Sequence, residues 1–301
     1  MRVCILFIAS LLISFGASMR ETERWSVEES LVWQKFEKWP VGCNFIPSSA
    51  VNELEMFQED TYDTVTIDRE LGWAESLGFN TIRVFLHYLL WEDNAQKFLN
   101  RMENFLSIAD SHHIKTMFVL FDDCWRPDPK LGKQPDPTPG VHNSQWLQCP
   151  GGSNVTNTSI FHILESYVKG VISHFAYDKR VLLWDLYNEP GNSGHMLESM
   201  DLLKKSFEWG RAAQPTQPLT AGVWNLNSGF DKLNAVQISL SDVITFHSYG
   251  VLEEFHRVYN IMKQQSLGRT VFCSEYMART VGSKFETHLP FGKKENIGMI
   301  N

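Results

Sequence analysis

Short apolar runs alternate with longer amphipathic segments along most of the chain. Seven of the short runs are rich in β-branched or aromatic residues and almost continuously apolar, which is typical of strands buried on both faces of a parallel sheet. These predicted strands are Pro40–Ile46, Thr81–Leu86, Thr116–Phe121, Val181–Tyr187, Leu219–Val223, Val243–Phe246 and Thr270–Cys273. Gly298–Ile300 is a candidate for the start of an eighth strand.

The intervals between these runs carry apolar stripes at helical spacing. In the first interval, Ile67, Leu71, Ala74 and Leu77 share one helix face, and Thr66 is a candidate N-cap. The other predicted helices are Phe98–Ala109, Leu164–Phe175, Met196–Arg211 and Leu252–Met262. Strict alternation of strands and helices implies βαβ units, right-handed crossovers and a parallel sheet.

Two α/β folds satisfy this alternation, an open doubly wound sheet and a closed (β/α)₈ TIM barrel. The sequence has no G-x-G-x-x-G or Walker-type loop, so a nucleotide-binding open sheet lacks support. Its 301 residues accommodate a barrel, which typically takes about 250 residues. We therefore predict one (β/α)₈ catalytic domain over residues 19–301, introduced by a polar leader that ends at about residue 38.

The first eighteen residues have the order of a secretory signal peptide. Arg2 precedes the apolar run Val3–Ile13, and the small residues Gly16, Ala17 and Ser18 follow. The run is shorter than the roughly 20 apolar residues that span a bilayer. We expect residues 1–18 to be removed and the mature protein to be secreted, extracellular or periplasmic, without a membrane anchor.

Charge and cysteine content narrow the range of partners. The sequence has 27 Lys plus Arg and 35 Asp plus Glu, a net charge of −8. This acidic balance argues against a nucleic-acid partner and favours a neutral substrate. The cysteines beyond the signal peptide, Cys43, Cys124, Cys149 and Cys273, lack metal-type spacing, so we expect neither a metal nor a cofactor, and a monomer. In an oxidising compartment, Cys124 and Cys149 are the candidate disulfide pair.

Two glutamates lie where a barrel enzyme carries its reacting groups. In barrels these groups gather at the C-terminal ends of strands. Glu189 follows the fourth predicted strand in Asn188-Glu189-Pro190, and Glu275 follows the seventh. A single glutamate there is more often a solvated carboxylate, but two on opposite strands can flank a bond across the barrel mouth. Retaining glycoside hydrolysis needs two carboxylates about 5–5.5 Å apart.

These motifs resemble clan A of the glycoside hydrolases, and most of all family 5, the cellulase-type enzymes. The resemblance is carried by Trp184-Asp185-Leu186-Tyr187-Asn188-Glu189-Pro190 and Cys273-Ser274-Glu275-Tyr276, with Arg83, His247 and Tyr249 in support, and it covers roughly residues 39–301. It implies an O-glycosyl hydrolase of the cellulase, mannanase or xylanase type. By the same resemblance, Glu189 is the acid/base and Glu275 the nucleophile of a double displacement on β-linked oligo- or polysaccharides.

Residues at neighbouring strand ends are predicted to bind the substrate or to hold the carboxylates. Asn188 can donate to a sugar hydroxyl, and Arg83 either stabilises the charge of Glu275 or pairs with Asp185. Burial and nearby negative charge are expected to raise the pKa of Glu189. The predicted substrate-binding set is Arg83, His87, Asp122, Trp125, Asn188, Trp224, His247 and Tyr249. Trp91, Trp125, Trp146 and Trp224 are candidate sugar platforms, with core packing as the alternative.

The sequence departs from the family pattern at strand eight. A tryptophan at the end of that strand commonly lines the sugar subsite next to the cleaved bond, whereas this sequence ends at Asn301. We therefore expect the eighth strand to be incomplete and the eighth helix to be absent. This departure keeps a second class open, a carbohydrate-binding pseudoenzyme that retains the cleft without turnover.

Overall fold

The computed structural model describes residues 23–301, so the predicted signal peptide lies outside the described residues. Eight parallel strands form one sheet in the order β5-β4-β3-β2-β1-β8-β7-β6. The strands are β1 (Val41–Asn44), β2 (Thr81–Phe85), β3 (Lys115–Asp122), β4 (Val181–Asn188), β5 (Leu219–Thr220), β6 (Ile244–His247), β7 (Val271–Glu275) and β8 (Gly298–Ile300). All seven predicted strands and the eighth candidate are present.

The sheet curls until its two edge strands, β5 and β6, meet. Val223, just beyond β5, forms an isolated parallel bridge with Phe246 in β6. Val223 N donates to Thr245 O, and His247 N donates to Val223 O, both at 2.9 Å. The predicted (β/α)₈ TIM barrel is thereby confirmed.

The eighth strand has only three residues, yet it pairs on both sides. It lies parallel to β1 and to β7. Asn301, the last residue of the sequence, extends the pairing by donating from its backbone N to Gly42 O at 3.0 Å. A Cβ on Gly298 would lie 2.3 Å from the Phe272 ring, so this position needs a glycine for β8 to lie against β7. Strand eight is thus short but paired on both sides.

Helices surround the sheet and connect its strands. They are α1 (Val27–Phe36), α2 (Glu53–Phe57), α3 (Thr64–Ser76), α4 (Tyr88–Ser111), α5 (Phe161–His174), α6 (Met200–Ala212), α7 (Asp231–Leu240), α8 (Leu252–Gln265) and α9 (Phe285–Lys294). The predicted helices correspond to α3, the second half of α4, α5, α6 and α8. Within residues 23–301, no helix has both the length and the apolar character needed to cross a membrane.

The segment predicted as a polar leader contains the helix α1, which packs under the barrel. Ser26 and Glu29 form a capping box at its start. Trp33 packs against the buried cluster of the barrel floor, which consists of Met117, Leu182, Leu183, Val243, Phe272 and Ile300. Thr270 N donates to Ser30 Oγ at 3.1 Å. The helix therefore covers the N-terminal end of the barrel and leaves the opposite end open for a site.

Candidate active site

Glu189 and Glu275 meet at the open, C-terminal end of the barrel. Glu189 directly follows the last residue of β4, and Glu275 is the last residue of β7. His247, at the end of β6, lies between them, with Nδ1 2.7 Å from Glu189 Oε1 and Nε2 3.6 Å from Glu275 Oε1. One carboxylate oxygen from each glutamate and one ring nitrogen of His247 all lie within 4.8 Å of one another. The structure thus brings both predicted glutamates and the predicted His247 into one cluster.

The side chain of Arg83 binds one of the two glutamates and a second, buried carboxylate. Arg83 Nη1 donates to Glu275 Oε1 at 2.6 Å, and its Nε and Nη2 donate to Asp185 Oδ2 at 3.1 and 2.7 Å. Burial alone would lower the pKa of Arg83, but the charges of Asp185 and Glu275 raise it above its ordinary value. Arg83 therefore makes both of the predicted contacts, one with Glu275 and one with Asp185. Its cation beside Glu275 also disfavours a metal ion in the cluster.

Two further groups orient the nucleophile candidate. The hydroxyl of Tyr249 donates to Glu275 Oε2. Asn44, at the end of β1, accepts from Arg83 Nη1 at 2.9 Å and donates to Ser274 O at 3.1 Å. Asn44 was missing from the predicted site, although its place at a strand end is the same signal that identified the others.

Asn188 and Asp122 form a second set of contacts around the guanidinium. Asn188 Oδ1 accepts from Arg83 Nη2 at 2.7 Å, and its Nδ2 donates to Asp122 Oδ1 at 2.9 Å. Asp122 Oδ2 accepts from Trp146 Nε1 at 2.8 Å. Burial raises the pKa of Asp122 to about 7 despite these hydrogen bonds. Asp122 therefore orients an amide and an aromatic ring of the site.

The environment of Glu189 differs from the one expected for a protonated acid. It is 9% exposed, and Asn192 Nδ2 and Cys124 Sγ donate to its Oε2 at 2.6 and 3.2 Å. Burial would raise the pKa of Glu189, but the hydrogen bond and charge of His247, with the other two donors, outweigh burial and lower it. Burial likewise opposes the charge of His247, yet Glu275 and Glu189 raise the pKa of that imidazole. The predicted rise in the pKa of Glu189 is therefore wrong.

The backbone of Glu189 lies in the left-handed region, at φ 46°. This region is uncommon for residues other than glycine, and such strain concentrates at functional sites. The turn that follows β4 holds this conformation through Glu189 O, which accepts from Asn192 N at 3.0 Å. The same turn brings the Asn192 side chain to the carboxylate.

Cys124 and Cys149 are neighbours without a disulfide bond. All four described cysteines are free thiols. Cys149 forms an isolated antiparallel bridge with Asp122, with hydrogen bonds of 2.8 and 2.9 Å between their backbones. The Cys124 side chain instead lies against Glu189. The predicted disulfide between Cys124 and Cys149 is therefore wrong. Backbone hydrogen bonds between Asp122 and Cys149 join the two segments instead.

His87 does not face the barrel mouth, contrary to its prediction as a substrate-binding residue. It is 0% exposed, and its Nδ1 caps α4 by accepting from Leu89 N at 3.2 Å. Its Nε2 lies 3.1 Å from Gln148 O. Burial lowers the pKa of His87 to about 4, so the ring is neutral near pH 7. Both ring nitrogens are occupied by backbone groups, which leaves neither for a substrate.

A cavity of about 1120 Å³ covers the barrel mouth. Both glutamates line it, together with Asn188, Asp122 and Tyr249. One wall is aromatic and consists of Phe85, Trp125 and Trp146. The Trp146 ring packs edge-on against Phe85 with centroids 5.0 Å apart, whereas Trp125 is 47% exposed in the cavity. This wall suits the apolar face of a sugar ring.

The other two candidate platforms have different surroundings. Trp91 packs against the hydrophobic core, where a Cβ on Gly170 would lie 2.0 Å from its ring, so Trp91 is a packing residue. Trp224 donates to Pro190 O at 3.2 Å and lines a smaller cavity of about 320 Å³ beside Tyr249. Trp224 therefore remains next to the site, on the side of β5 and β6.

No protein-family model and no curated protein matches this sequence, whereas solved structures match its fold. The β-1,4-mannanase of the common sea hare Aplysia kurodai matches with a TM-score of 0.56 and 14% identity, covering 86% of each chain. The endo-1,4-β-mannanase of Rhizomucor miehei matches with a TM-score of 0.58 and 14% identity, covering 83% of each chain. An exo-β-1,4-mannosidase from Opitutaceae bacterium strain TAV5 matches with a TM-score of 0.61 and 17% identity, over 87% of this chain and 50% of that one.

These identities are low, so the likeness concerns the architecture of the chain. The first two matches extend over most of both proteins. The resemblance that the strand-end motifs indicated is thereby confirmed at the level of the fold. This chain is a (β/α)₈ barrel with the architecture of these mannanases.

Proposed function

We propose that this protein is a retaining O-glycosyl hydrolase that cleaves β-linked glycosidic bonds of an oligo- or polysaccharide. The observation that carries the proposal is the pair Glu189 and Glu275, whose oxygens lie within 4.8 Å of each other under a cavity of about 1120 Å³. This spacing favours the retaining arrangement, with carboxyl groups about 5–5.5 Å apart, over the inverting one, which needs about 6.5–9.5 Å.

Glu275 acts as the nucleophile in this proposal. Arg83 and Tyr249 both donate to it, so its charge is stabilised and its two oxygens are held in place. The carboxylate attacks the anomeric carbon as the bond to the leaving oxygen breaks, which forms a glycosyl-enzyme. Asn188, fixed by Arg83 and Asp122, lies where an amide can contact the sugar next to the cleaved bond.

Glu189 acts as acid and then as base, and it shares one proton with His247. We assign the resting proton to His247 Nδ1, 2.7 Å from Glu189 Oε1, because the two carboxylates raise the pKa of the imidazole and the imidazole lowers the pKa of Glu189. A bound sugar excludes water, which disfavours two buried charges over two neutral groups. The proton then moves to Glu189, which passes it to the leaving oxygen. In the second step, Glu189 takes a proton from water, the water oxygen attacks the anomeric carbon, and Glu275 is released.

A neutral, β-linked polysaccharide is the proposed substrate class. The net charge of −8 is unsuited to an acidic polymer, and the aromatic wall of the cavity suits sugar faces. We choose β-1,4-mannan as the first substrate because the structural neighbours are named for it. We also propose secretion from the signal-like residues 1–18, which N-terminal sequencing of secreted protein would test.

The assignment of the two glutamates can be tested by azide rescue. E189Q and E275Q should each lose most turnover of β-mannan while keeping the fold. With an activated aryl glycoside, azide should give a product of retained configuration with E189Q and of inverted configuration with E275Q. The matched control is E208Q, an exposed glutamate on α6 that pairs with Lys205. Products of one shared configuration would contradict the assignment.

The pseudoenzyme remains the competing function, and one comparison separates the two. The wild-type protein should release reducing sugar from at least one polymer of a panel of mannan, glucan and xylan. Binding to one of these polymers without any release of sugar would support a carbohydrate-binding pseudoenzyme instead.

A further inference from the structure

The thiol of Cys124 lies in the cavity wall against the proposed acid/base. Its Sγ is 3.2 Å from Glu189 Oε2, and the residue is 7% exposed. The side-chain amide nitrogens of Asn188 and Asn192 lie 3.5 and 3.4 Å from the same sulfur. The backbone N of Cys124 donates to Asp122 Oδ1 at 2.9 Å, which fixes the position of the thiol.

The chemistry of these neighbours sets the direction of each hydrogen bond. Amide NH₂ groups only donate, so the sulfur accepts from Asn188 and Asn192. A carboxylate only accepts, so the S–H proton of Cys124 points to Glu189. Burial, together with the charges of Asp122 and Glu189, raises the pKa of the thiol well above its usual range, so the proton stays on sulfur.

We propose that Cys124 is a positioning residue: its S–H group donates to Oε2 of Glu189 and thereby keeps Oε1 directed at His247. This inference rests on the proposed function, in which Glu189 is the acid/base. A thiol is a weak donor, so it stabilises the ionised carboxylate less than a hydroxyl in its place. The contact fixes the orientation of Glu189 and leaves it able to take up a proton.

The variants C124A and C124S separate this role from simple packing. C124A removes the donor, so the Glu189–His247 pair should hold its shared proton more strongly. The alkaline limb of the kcat/KM profile, where the pair loses that proton, should move up by about half to one pH unit. C124S supplies a stronger donor and should move that limb below its wild-type position. The control C43A removes a thiol of β1 that packs against the core, and its profile should match wild type. A packing role would change stability or kcat without moving the limb.

A titration without substrate distinguishes failure of this inference from failure of the proposed function. In ¹³C-glutamate-labelled protein, with E189Q to assign the signal, the carboxyl resonance of Glu189 should titrate at higher pH in C124A and at lower pH in C124S. If these titration shifts occur but the wild-type protein shows no turnover, the positioning role of Cys124 is supported and the proposed function is contradicted. Turnover with superimposable titrations of wild type and variants would overturn the role of Cys124. If C124A does not fold, C124S decides alone, and an unchanged titration overturns it.

Discussion

Replacing Arg83 by methionine is expected to reduce both stability and catalysis. Its guanidinium is completely buried and uses all three nitrogens to bind Asp185, Glu275, Asn44 and Asn188. Methionine fills much of the space without the charge, so Asp185, which is also buried, loses its partner. Removing one partner of a buried ion pair costs about 3–5 kcal/mol. That is a large fraction of the roughly 5–15 kcal/mol that stabilises a typical protein.

A double-mutant cycle isolates the interaction between Arg83 and Asp185. D185L should cost about 1.5–3 kcal/mol, because it removes charge-assisted hydrogen bonds but leaves Arg83 paired with Glu275. In R83M/D185L no buried charge lacks a partner, since the Glu275 side chain is 13% exposed and can meet water. The double variant should therefore be less destabilised than the sum of the single variants, by about 2 kcal/mol or more.

Urea unfolding followed by tryptophan fluorescence measures these costs, and turnover of β-mannan measures catalysis. R83M/D185L should fold and remain inactive, because Glu275 has lost the cation that holds it. The control R180M removes a partly exposed cation that pairs with Asp178 and Glu103, and it should alter stability by at most about 1 kcal/mol. A cost below 1 kcal/mol for R83M, or additive costs in the cycle, would refute the reasoning.

Two further predictions concern the residues around the cavity. His87 titrates near pH 4 when folded and near 6.5 when unfolded, so it makes stability fall as pH drops through this window. H87N keeps an acceptor for Leu89 N but does not titrate in this range. In urea melts, its free energy of unfolding should therefore fall between pH 7 and pH 4 by about 3 kcal/mol less than that of wild type. Equal falls in the two proteins would contradict this. W125A should raise KM roughly tenfold with little change in stability, because Trp125 is exposed in the cavity. W91A should lower the free energy of unfolding and leave KM unchanged, because Trp91 packs against the core. The reverse pattern would show that the cavity wall is misassigned.

The strands of this barrel were predictable because they are buried on both faces. β3 and β4 each differ from the prediction by at most one residue at either end, since nearly every position in them is buried and most of their residues are apolar. The helix α1 escaped prediction because its exposed face carries Leu31, Val32 and Phe36, which blurs the stripe that periodicity detects. Its capping box, Ser26 to Glu29, was the available signal. The helix α9 was missed for a different reason, because Pro290 lies inside it.

In the site, strand ends pointed to the proposed reacting groups but not to their surroundings. The positions of Glu189 and Glu275 follow from the chain, because parallel strands in a barrel end at the same rim, whereas Arg83 lies within β2 and was identified through the family resemblance. The lowered pKa of Glu189 depends on His247, which is distant in sequence and reaches it only through barrel closure. The burial of His87 depends likewise on tertiary contact, because the backbone of Gln148 covers its ring.

The place where the barrel closes has a consequence for the proton that the site uses. β5 and β6 are joined through the isolated bridge at Val223 rather than by a ladder. His247 belongs to that bridge, since its backbone N donates to Val223 O at 2.9 Å. A fluctuation that separates these two strands therefore also displaces the imidazole from Glu189. In the proposed mechanism, the proton shared by His247 and Glu189 therefore depends on the barrel wall staying closed at Val223.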